Sequence, residues 1–147
     1  MAGILKTNIV SSDYVKILSY TELYGFFSER MNTIVTGISS NNTYQLSDGT
    51  IHYHTANSEA NGNVSLNGFT NVSVGNSASM AVIITNNVFK RYISTVQVDD
   101  TSSGVTVLWS GEAAPTDGSA NTDIYTFNVL KTANSTYTVF ANKSTFG

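Results

Sequence analysis

Two histidines, His52 and His54, stand two residues apart in a stretch that is predicted to be a β-strand. Side chains alternate along a strand, so both imidazoles point to the same face and could reach one metal ion. A protein zinc site needs at least three ligands, and beyond Glu59 no third ligand is evident nearby. We therefore interpret the pair as solvent-facing or interface histidines and predict neither a metal site nor a cofactor.

Catalytic residues of other kinds have equally little support. Asp99 and Asp100 are adjacent, so on a strand they point to opposite faces, whereas paired-carboxylate catalysis needs two carboxylates facing each other across a cleft. Solvated acids in a turn after Val98 are the better interpretation. The chain has no Gly-x-Ser-x-Gly elbow, no glycine-rich phosphate loop with a lysine, and no cysteine. We predict that the protein is not an enzyme.

Trp109 is the one residue that suggests a ligand site. An exposed tryptophan beside Asn and Asp side chains is typical of sugar-binding surfaces, so Trp109 is a possible glycan-binding residue. The alternative is structural: Trp109 follows Val105 and Val107 at the two-residue period of a strand, which favours an indole facing the core with them.

Composition limits the partners. The chain has 147 residues, enough for one domain, and charged residues make up only 12% against a usual share of about 25%. An uncharged Asn, Ser and Thr surface suits closely packed neighbours, so we expect a homo-oligomer. With seven Lys and Arg and a net charge of −3, no nucleic-acid or membrane partner is expected. The first residues lack the pattern of a signal peptide, which predicts a soluble product made in the cytoplasm.

The elements that must position these residues are nearly all β. Met80–Thr85 lies in the longest apolar run and is predicted to be a central strand buried on both faces. Thr43–Ser47 and Thr50–Thr55 flank Asp48-Gly49, which predicts a type I′ hairpin. The other predicted strands are Val64–Leu66, Phe69–Val74, Tyr92–Val98, Val105–Trp109, and a hairpin of Ile124–Lys131 with Thr136–Asn142; Asp99–Gly104 and Gly111–Asp123 are predicted loops. We predict a mainly β domain, an antiparallel β-sandwich or jelly roll with one short N-terminal amphipathic helix.

We predict that this helix begins at about Tyr20, because Ser19 followed by Glu22 is the sequence pattern of a capping box. Its apolar residues follow helical spacing and form one stripe: Tyr20, Leu23, Tyr24, Phe27 and Met31. The helix either closes one end of the β core or docks on a neighbouring subunit. We divide the chain into an N-terminal arm and helix, residues 1–33, and a β-sandwich domain, residues 34–147.

Several short sequence signatures, spread over about two-thirds of the chain, carry a resemblance to a known protein family. They are Asn42-Thr-Tyr-Gln-Leu-Ser-Asp-Gly49 with Tyr53-His54, Gly68-Phe-Thr-Asn-Val-Ser73, Ser79-Met-Ala-Val-Ile-Ile-Thr-Asn86, Tyr92-Ile93, Val96-Gln-Val-Asp99, Gly111–Phe127, Leu130–Ala141 and Phe146-Gly147. In this order they resemble the C-terminal β domain of small structural proteins, of decoration or fibre type, from tailed phages of marine cyanobacteria and related marine bacteria. The region before about Ile34 does not match that domain.

The resemblance implies a non-enzymatic virion component that is made in the cytoplasm of the infected cell. For a chain of this size it favours a capsid decoration or cement protein that binds the major capsid protein or other virion proteins. Attachment would then use the stripe and the arm at Ile4–Val10. The alternative is a small head or tail fibre, a receptor-binding module that recognises a host surface glycan through the loop Gly111–Asp123 and nearby aromatic residues.

Overall fold

The computed structural model describes residues 28–147, and almost all of the regular structure in that range is β. The strands are β1 Met31–Ile34, β2 Asn41–Gln45, β3 Ile51–Asn57, β4 Gly62–Asn67, β5 Ser77–Thr85, β6 Ile93–Val98, β7 Val105–Trp109, β8 Thr122–Ala133 and β9 Thr136–Phe146. Leu46–Asp48 and Phe69–Asn71 form single turns of 3₁₀ helix. The predicted helix from Tyr20 lies outside the described residues, except that Met31 begins β1 and so belongs to a strand.

The strands form a six-stranded sheet in the order β1-β3-β5-β8-β9-β7 and a three-stranded sheet in the order β2-β4-β6. From β1 to β6 the chain alternates between them, one strand in the larger sheet and the next in the smaller. It thus winds through three coils, and neighbouring strands within each sheet run parallel. Corresponding residues of successive coils stand side by side: Met31 pairs with Ile51, and Ile51 pairs with Ala81.

The last three strands extend the larger sheet beyond the third coil. β8 pairs antiparallel with β5, β9 pairs antiparallel with β8, and β7 pairs parallel with the far side of β9. β1 and β7 are therefore the two edges of the larger sheet.

The predicted mainly β sandwich is confirmed, but antiparallel pairing holds only for the two ladders of β8. The predicted hairpin at Asp48-Gly49 is wrong, because β2 and β3 belong to different sheets. Leu46–Asp48 makes a 3₁₀ turn instead, and Gly49 at φ 136° turns the chain from the smaller sheet to the larger. Phe69–Val74 is also not a strand, because a 3₁₀ turn at Phe69–Asn71 carries the chain between sheets at the corresponding point of the second coil.

The predictions for the C-terminal half are closer to the structure. The β8–β9 hairpin, β6 and β7 occur as predicted, and β5 lies in the interior of its sheet. The prediction that β5 is buried on both faces is wrong. Val82 and Ile84 point inward and are fully buried, whereas Ile83 points outward and is half-buried.

The hydrophobic core lies between the two sheets. Its buried hydrophobic residues come from six strands and two connections, and they are Ile38, Tyr44, Val64, Leu66, Phe69, Met80, Val82, Ile84, Ile93, Val96, Val98, Tyr125, Phe127, Val129, Tyr137, Val139 and Ala141. Within residues 28–147 we find no helix with the length and apolar character needed to span a bilayer.

Candidate functional site

An apolar surface begins at Met31 and continues across the outer face of the larger sheet. The Met31 side chain is 50% exposed, and it is the only residue of the predicted attachment stripe that lies within the described part of the chain. It stands in register with Ile51, and Ile51 with Ala81, so these side chains form one row. The neighbouring row consists of Tyr53, Ile83 and Ile124, all half-buried.

The chain enters the β domain beside this surface. The carboxylate of Glu29 accepts a hydrogen bond from the hydroxyl of Thr50, at 3.0 Å, one residue before β3 begins. A shallow groove of about 290 Å³ lies at this point, lined by Ser28, Glu29, Arg30, Leu46, Ser47, Gly49 and Thr50. The other stripe residues, Tyr20, Leu23, Tyr24 and Phe27, precede the described residues, as does the arm at Ile4–Val10. The stripe therefore leads into the domain next to an apolar face.

His52 and His54 are buried, with relative exposures of 0% and 3%, so the prediction that they face solvent or an interface is wrong. They point between the sheets against Tyr44. Nδ1 of His54 donates to the carbonyl oxygen of Thr36 at 2.8 Å, and the Tyr44 hydroxyl donates to Nε2 at 2.8 Å. His52 stacks on the Tyr44 ring at 4.9 Å and accepts a long 3.4 Å hydrogen bond from Asn32 at Nδ1, while its Nε2 has no partner among the described residues.

Burial determines the chemistry of this pair. Desolvation lowers the pKa of both histidines, more than the Asp48 carboxylate raises that of His52. Glu59, the other predicted ligand, is exposed in the connection after β3. In residues 28–147 no group of three His, Cys, Asp or Glu side chains is placed to hold a metal ion. The pair forms a neutral polar cluster inside the first two coils, and its hydrogen bonds fix the His54 tautomer.

Asp99 organises the turn after β6. One carboxylate oxygen accepts hydrogen bonds from the backbone N–H groups of Gly68 and Phe69, at 2.9 and 3.1 Å, and the other accepts from the Tyr137 hydroxyl at 3.0 Å. Asp99 thus joins the second coil, the third coil and the hairpin. The prediction of a solvated acid is too simple for Asp99, which is half-buried.

Asp100 is exposed, as predicted for a turn acid, but it also belongs to a network. Its backbone N–H donates to the Ser65 hydroxyl at 2.9 Å, and its carboxylate accepts from the Asn67 amide at 2.9 Å. The Ser65 hydroxyl in turn donates to Asn67 at 2.6 Å. Both acids have positive φ, near 48° and 61°, a conformation in which Asp is more common than most residues. Their contacts are those of residues that hold a turn in place.

Asp123 anchors the long loop Gly111–Asp123 and is fully buried. Its carboxylate accepts hydrogen bonds from the Ser119 backbone N–H at 2.8 Å, the Thr145 hydroxyl at 2.8 Å and the Asn86 side-chain amide at 3.1 Å, and the Lys143 ammonium lies 3.6 Å away. Asp123 is the second residue of β8 and not, as predicted, the last residue of the loop. The sequence signal for this role is weak, because Asp123 stands among small polar residues.

The long loop also packs against the connection between β5 and β6. The Gly118 N–H donates to the Lys90 carbonyl oxygen at 2.9 Å, and a Cβ atom at Gly118 would collide with the Arg91 carbonyl oxygen. Val88 and Phe89, at the tip of the connection, are 80% and 67% exposed. We did not predict this surface, although an apolar pair between Asn87 and Lys90 is visible in the sequence.

Trp109 lies at the β7 edge and is half-buried. As predicted by the structural interpretation, its indole points inward, and it meets the rings of Tyr125 and Phe127 edge-on at 6.4 and 6.3 Å. A shallow groove of about 350 Å³ lies beside it. Two exposed apolar side chains in register, Leu108 and Phe140, line that groove, together with Trp109, Ser110, Ala141 and Asn142.

Comparisons with models of protein families, with curated proteins and with solved structures find no match to this chain. The functional evidence therefore lies in the described residues themselves. Their buried polar groups hold turns and coils together. The exposed large apolar side chains include two pairs, Val88 with Phe89 and Leu108 with Phe140, together with Met31, Val35, Val74 and Phe146. Surfaces of this kind suit contact with other macromolecules.

Proposed function

We propose that the protein is a non-enzymatic structural protein of a tailed phage virion, a capsid decoration or cement protein that stabilises the head by binding across capsid subunits. The resemblance to phage β domains and the low charge of the chain support this role. The observation that carries the proposal is the position of Met31. The last residue of the predicted stripe is half exposed and begins an apolar row on the outer face of the larger sheet.

In this proposal the β-sandwich domain and the N-terminal segment before it bind the capsid together. The stripe Tyr20, Leu23, Tyr24, Phe27 and Met31 contacts the major capsid protein or another virion protein, and the row from Met31 to Ala81 extends that contact onto the sheet. Binding that spans two capsid subunits stabilises their assembled state by mass action, which raises the resistance of the shell to rupture. Because few charges are present, we expect this contact to depend little on salt.

Replacing Leu23 and Phe27 together by Ser tests the attachment surface. We expect the double variant to keep the circular dichroism spectrum of the β domain and to lose incorporation into virions of the phage that encodes it. The control is Val88→Ser with Phe89→Ser, which removes exposed apolar side chains from the connection after β5 and should leave incorporation unchanged. Normal incorporation of a folded Leu23→Ser, Phe27→Ser variant would overturn the assignment.

The number of copies per virion separates a decoration protein from other structural roles. Quantitative mass spectrometry of purified virions should give a ratio to the major capsid protein near one. A few copies per particle would move the protein to the collar, a vertex or the tail, and its absence would refute the structural role.

A second candidate function is a small head or tail fibre, a receptor-binding module that recognises a host surface glycan. The groove beside Trp109 favours it, because two aromatic residues, Trp109 and Phe140, and the polar Asn142 are among the residues that line it. A glycan array with the purified protein tests this role. Saturable binding that is lost in Trp109→Ala and kept in Phe89→Ala would favour it over decoration.

A further inference from the structure

The two edges of the larger sheet differ in how they are protected. β1 follows directly after Glu29 and Arg30, and charged residues at an edge discourage pairing with another chain. β7 has no charged residue in Val105–Trp109 or in the two residues on either side. All five residues of β7 also have high strand propensity or large apolar side chains. An uncharged edge of this composition is a template for another strand.

The backbone of β7 has hydrogen-bonding groups that point away from the sheet. Tyr137 donates to the Gly104 carbonyl oxygen, and Ser110 donates to that of Ala141, each at 2.8 Å. Successive residues of a strand direct their backbone groups to opposite sides, so these two bonds place Thr106 and Leu108 toward β9 and Val107 toward the open edge. Within residues 28–147, no strand pairs with that side of β7.

Both faces of β7 also keep apolar surface exposed. On the outer face, Leu108 is 46% exposed and its register partner Phe140 is 49% exposed. On the inner face, the β9 side chains in register with β7 are buried, but those of β7 are only half-buried: Val105, Val107 and Trp109. Among residues 28–147, β7 therefore has no strand at its open edge, and its side chains stay partly exposed on both faces.

We propose that β7 is the contact strand of a two-fold homodimer, in which the β7 edges of two copies pair antiparallel and join two six-stranded sheets into one. Val107 then lies opposite Val107 of the second copy, and their N–H and carbonyl groups form two hydrogen bonds. Leu108 lies opposite Thr106 of the second copy, and Trp109 opposite its Val105. No charge opposes a charge in this register, which makes the strand self-complementary.

The dimer brings apolar side chains together on both faces of the joined sheet. Its apolar contacts, Leu108 on one face and Val107 with Trp109 on the other, supplement the few hydrogen bonds of a short strand pair. The proposal does not depend on attachment to a capsid, because it concerns the isolated protein.

Sedimentation velocity of the full chain over a range of concentrations tests the dimer. We expect reversible dimers in the native protein and association that is about tenfold or more weaker in Leu108→Lys, because two lysines then approach each other at the edge. Val88→Lys, which adds the same charge at another exposed apolar residue, should leave association unchanged. The Leu23→Ser, Phe27→Ser variant should also remain dimeric, which separates this contact from the attachment surface.

Hydrogen exchange locates the contact. The Val107 amide should be protected at high protein concentration and exchange rapidly on dilution. Val107→Pro should abolish association while preserving the fold, because a proline at this position removes an N–H that no bond to β9 uses. A protein that is monomeric at all concentrations, or a dimer that persists in both Leu108→Lys and Val107→Pro, would overturn the proposal.

Discussion

The interior of the first two coils differs from the interior of the β8–β9 hairpin. Between the coils, Tyr44, His52 and His54 bring a hydroxyl and two imidazoles into a buried space. The hairpin instead presents aromatic and aliphatic side chains, and Tyr125 and Phe127 lie ring to ring at 6.4 Å. Both regions are well packed, but they gain stability from different interactions. The stability of the coils depends on the protonation states of His52 and His54, whereas that of the hairpin depends on large apolar side chains that fill the core.

The two regions also differ in how their pairing arises. β8 and β9 meet across a short turn, with Lys131 opposite Tyr137. β1 meets β3 only after the chain has crossed to the smaller sheet and back, from Met31 to Ile51. Pairing across such a crossover must overcome more chain entropy before its contacts form. We therefore expect the coils near β1 to be the less stable part of the sandwich.

The largest effect should come from removing volume in the hairpin. Phe127→Ala deletes a ring that is 1% exposed and contacts Trp109 and Tyr125, and it should lower the free energy of unfolding by about 3–5 kcal/mol. Denaturant titration measures this change. Phe140→Ala is the matched control, because that ring is 49% exposed on the neighbouring strand and should cost much less. Equal losses in the two variants would contradict the assignment of the core.

Acid should weaken the coils before the hairpin. Burial lowers the pKa of His52 and His54 in the folded state, so below the ordinary histidine pKa of about 6.5 the unfolded chain binds more protons than the folded one. This contribution to stability is complete above that pH and is lost as the pH falls from there through the lowered pKa values. Each unit of lowering corresponds to about 1.4 kcal/mol.

Hydrogen exchange at pH 7 and pH 5, corrected for intrinsic rates, detects this loss by region. Amides of β1 and β3 should lose more protection than amides of β8 and β9. His52→Phe removes one titrating ring and keeps an aromatic neighbour for Tyr44, so its acid sensitivity should be smaller. Uniform loss across both regions, or an unchanged response in His52→Phe, would show that other groups control the acid response.

A smaller effect should follow from removing one buried hydrogen bond. Tyr44→Phe deletes the hydroxyl that donates to His54 and leaves Nε2 of that ring without its partner. We expect a loss of about 1–3 kcal/mol in the free energy of unfolding, because a buried acceptor is left unsatisfied. Denaturant titration at pH 7.5, where both histidines are neutral, isolates this term from protonation. An unchanged midpoint would mean that water replaces the hydroxyl in this cluster.

The contrast between coils and hairpin also explains which features could be predicted from the sequence. The hairpin follows from local alternation, Tyr125, Phe127 and Val129 against Tyr137 and Val139, because its turn joins adjacent segments. Individual strands of the coils, such as β4 and β6, were recognisable for the same reason. Their arrangement was not, because alternation does not specify which sheet a strand joins. The Asp48-Gly49 pair has hairpin chemistry, but the chain uses it to change sheets.

Prediction of candidate sites had a similar limit. The inward position of Trp109 follows from its period with Val105 and Val107. The burial of His52 and His54 could not be predicted, because their face is the core face only if Ile51 and Tyr53 point outward, which reverses the usual preference of these residues. The β7 edge was not predicted, since a free edge depends on strand order. The helical stripe, apart from Met31, lies before the described residues and stays a prediction.

The smallest effect should come from an exposed hydrogen bond on the same strand as Tyr44. The amide of Asn63 donates to the Asn41 side chain at 3.2 Å on the outer face of the smaller sheet, and both residues are exposed. Asn41→Ala should change the free energy of unfolding by no more than about 0.5 kcal/mol, because water can replace the lost partner. Denaturant titration beside Tyr44→Phe compares two side-chain hydrogen bonds in one strand that differ in burial. If Asn41→Ala costs as much as Tyr44→Phe, the loss in both variants reflects β2 itself, and the buried cluster makes no special contribution to the coils.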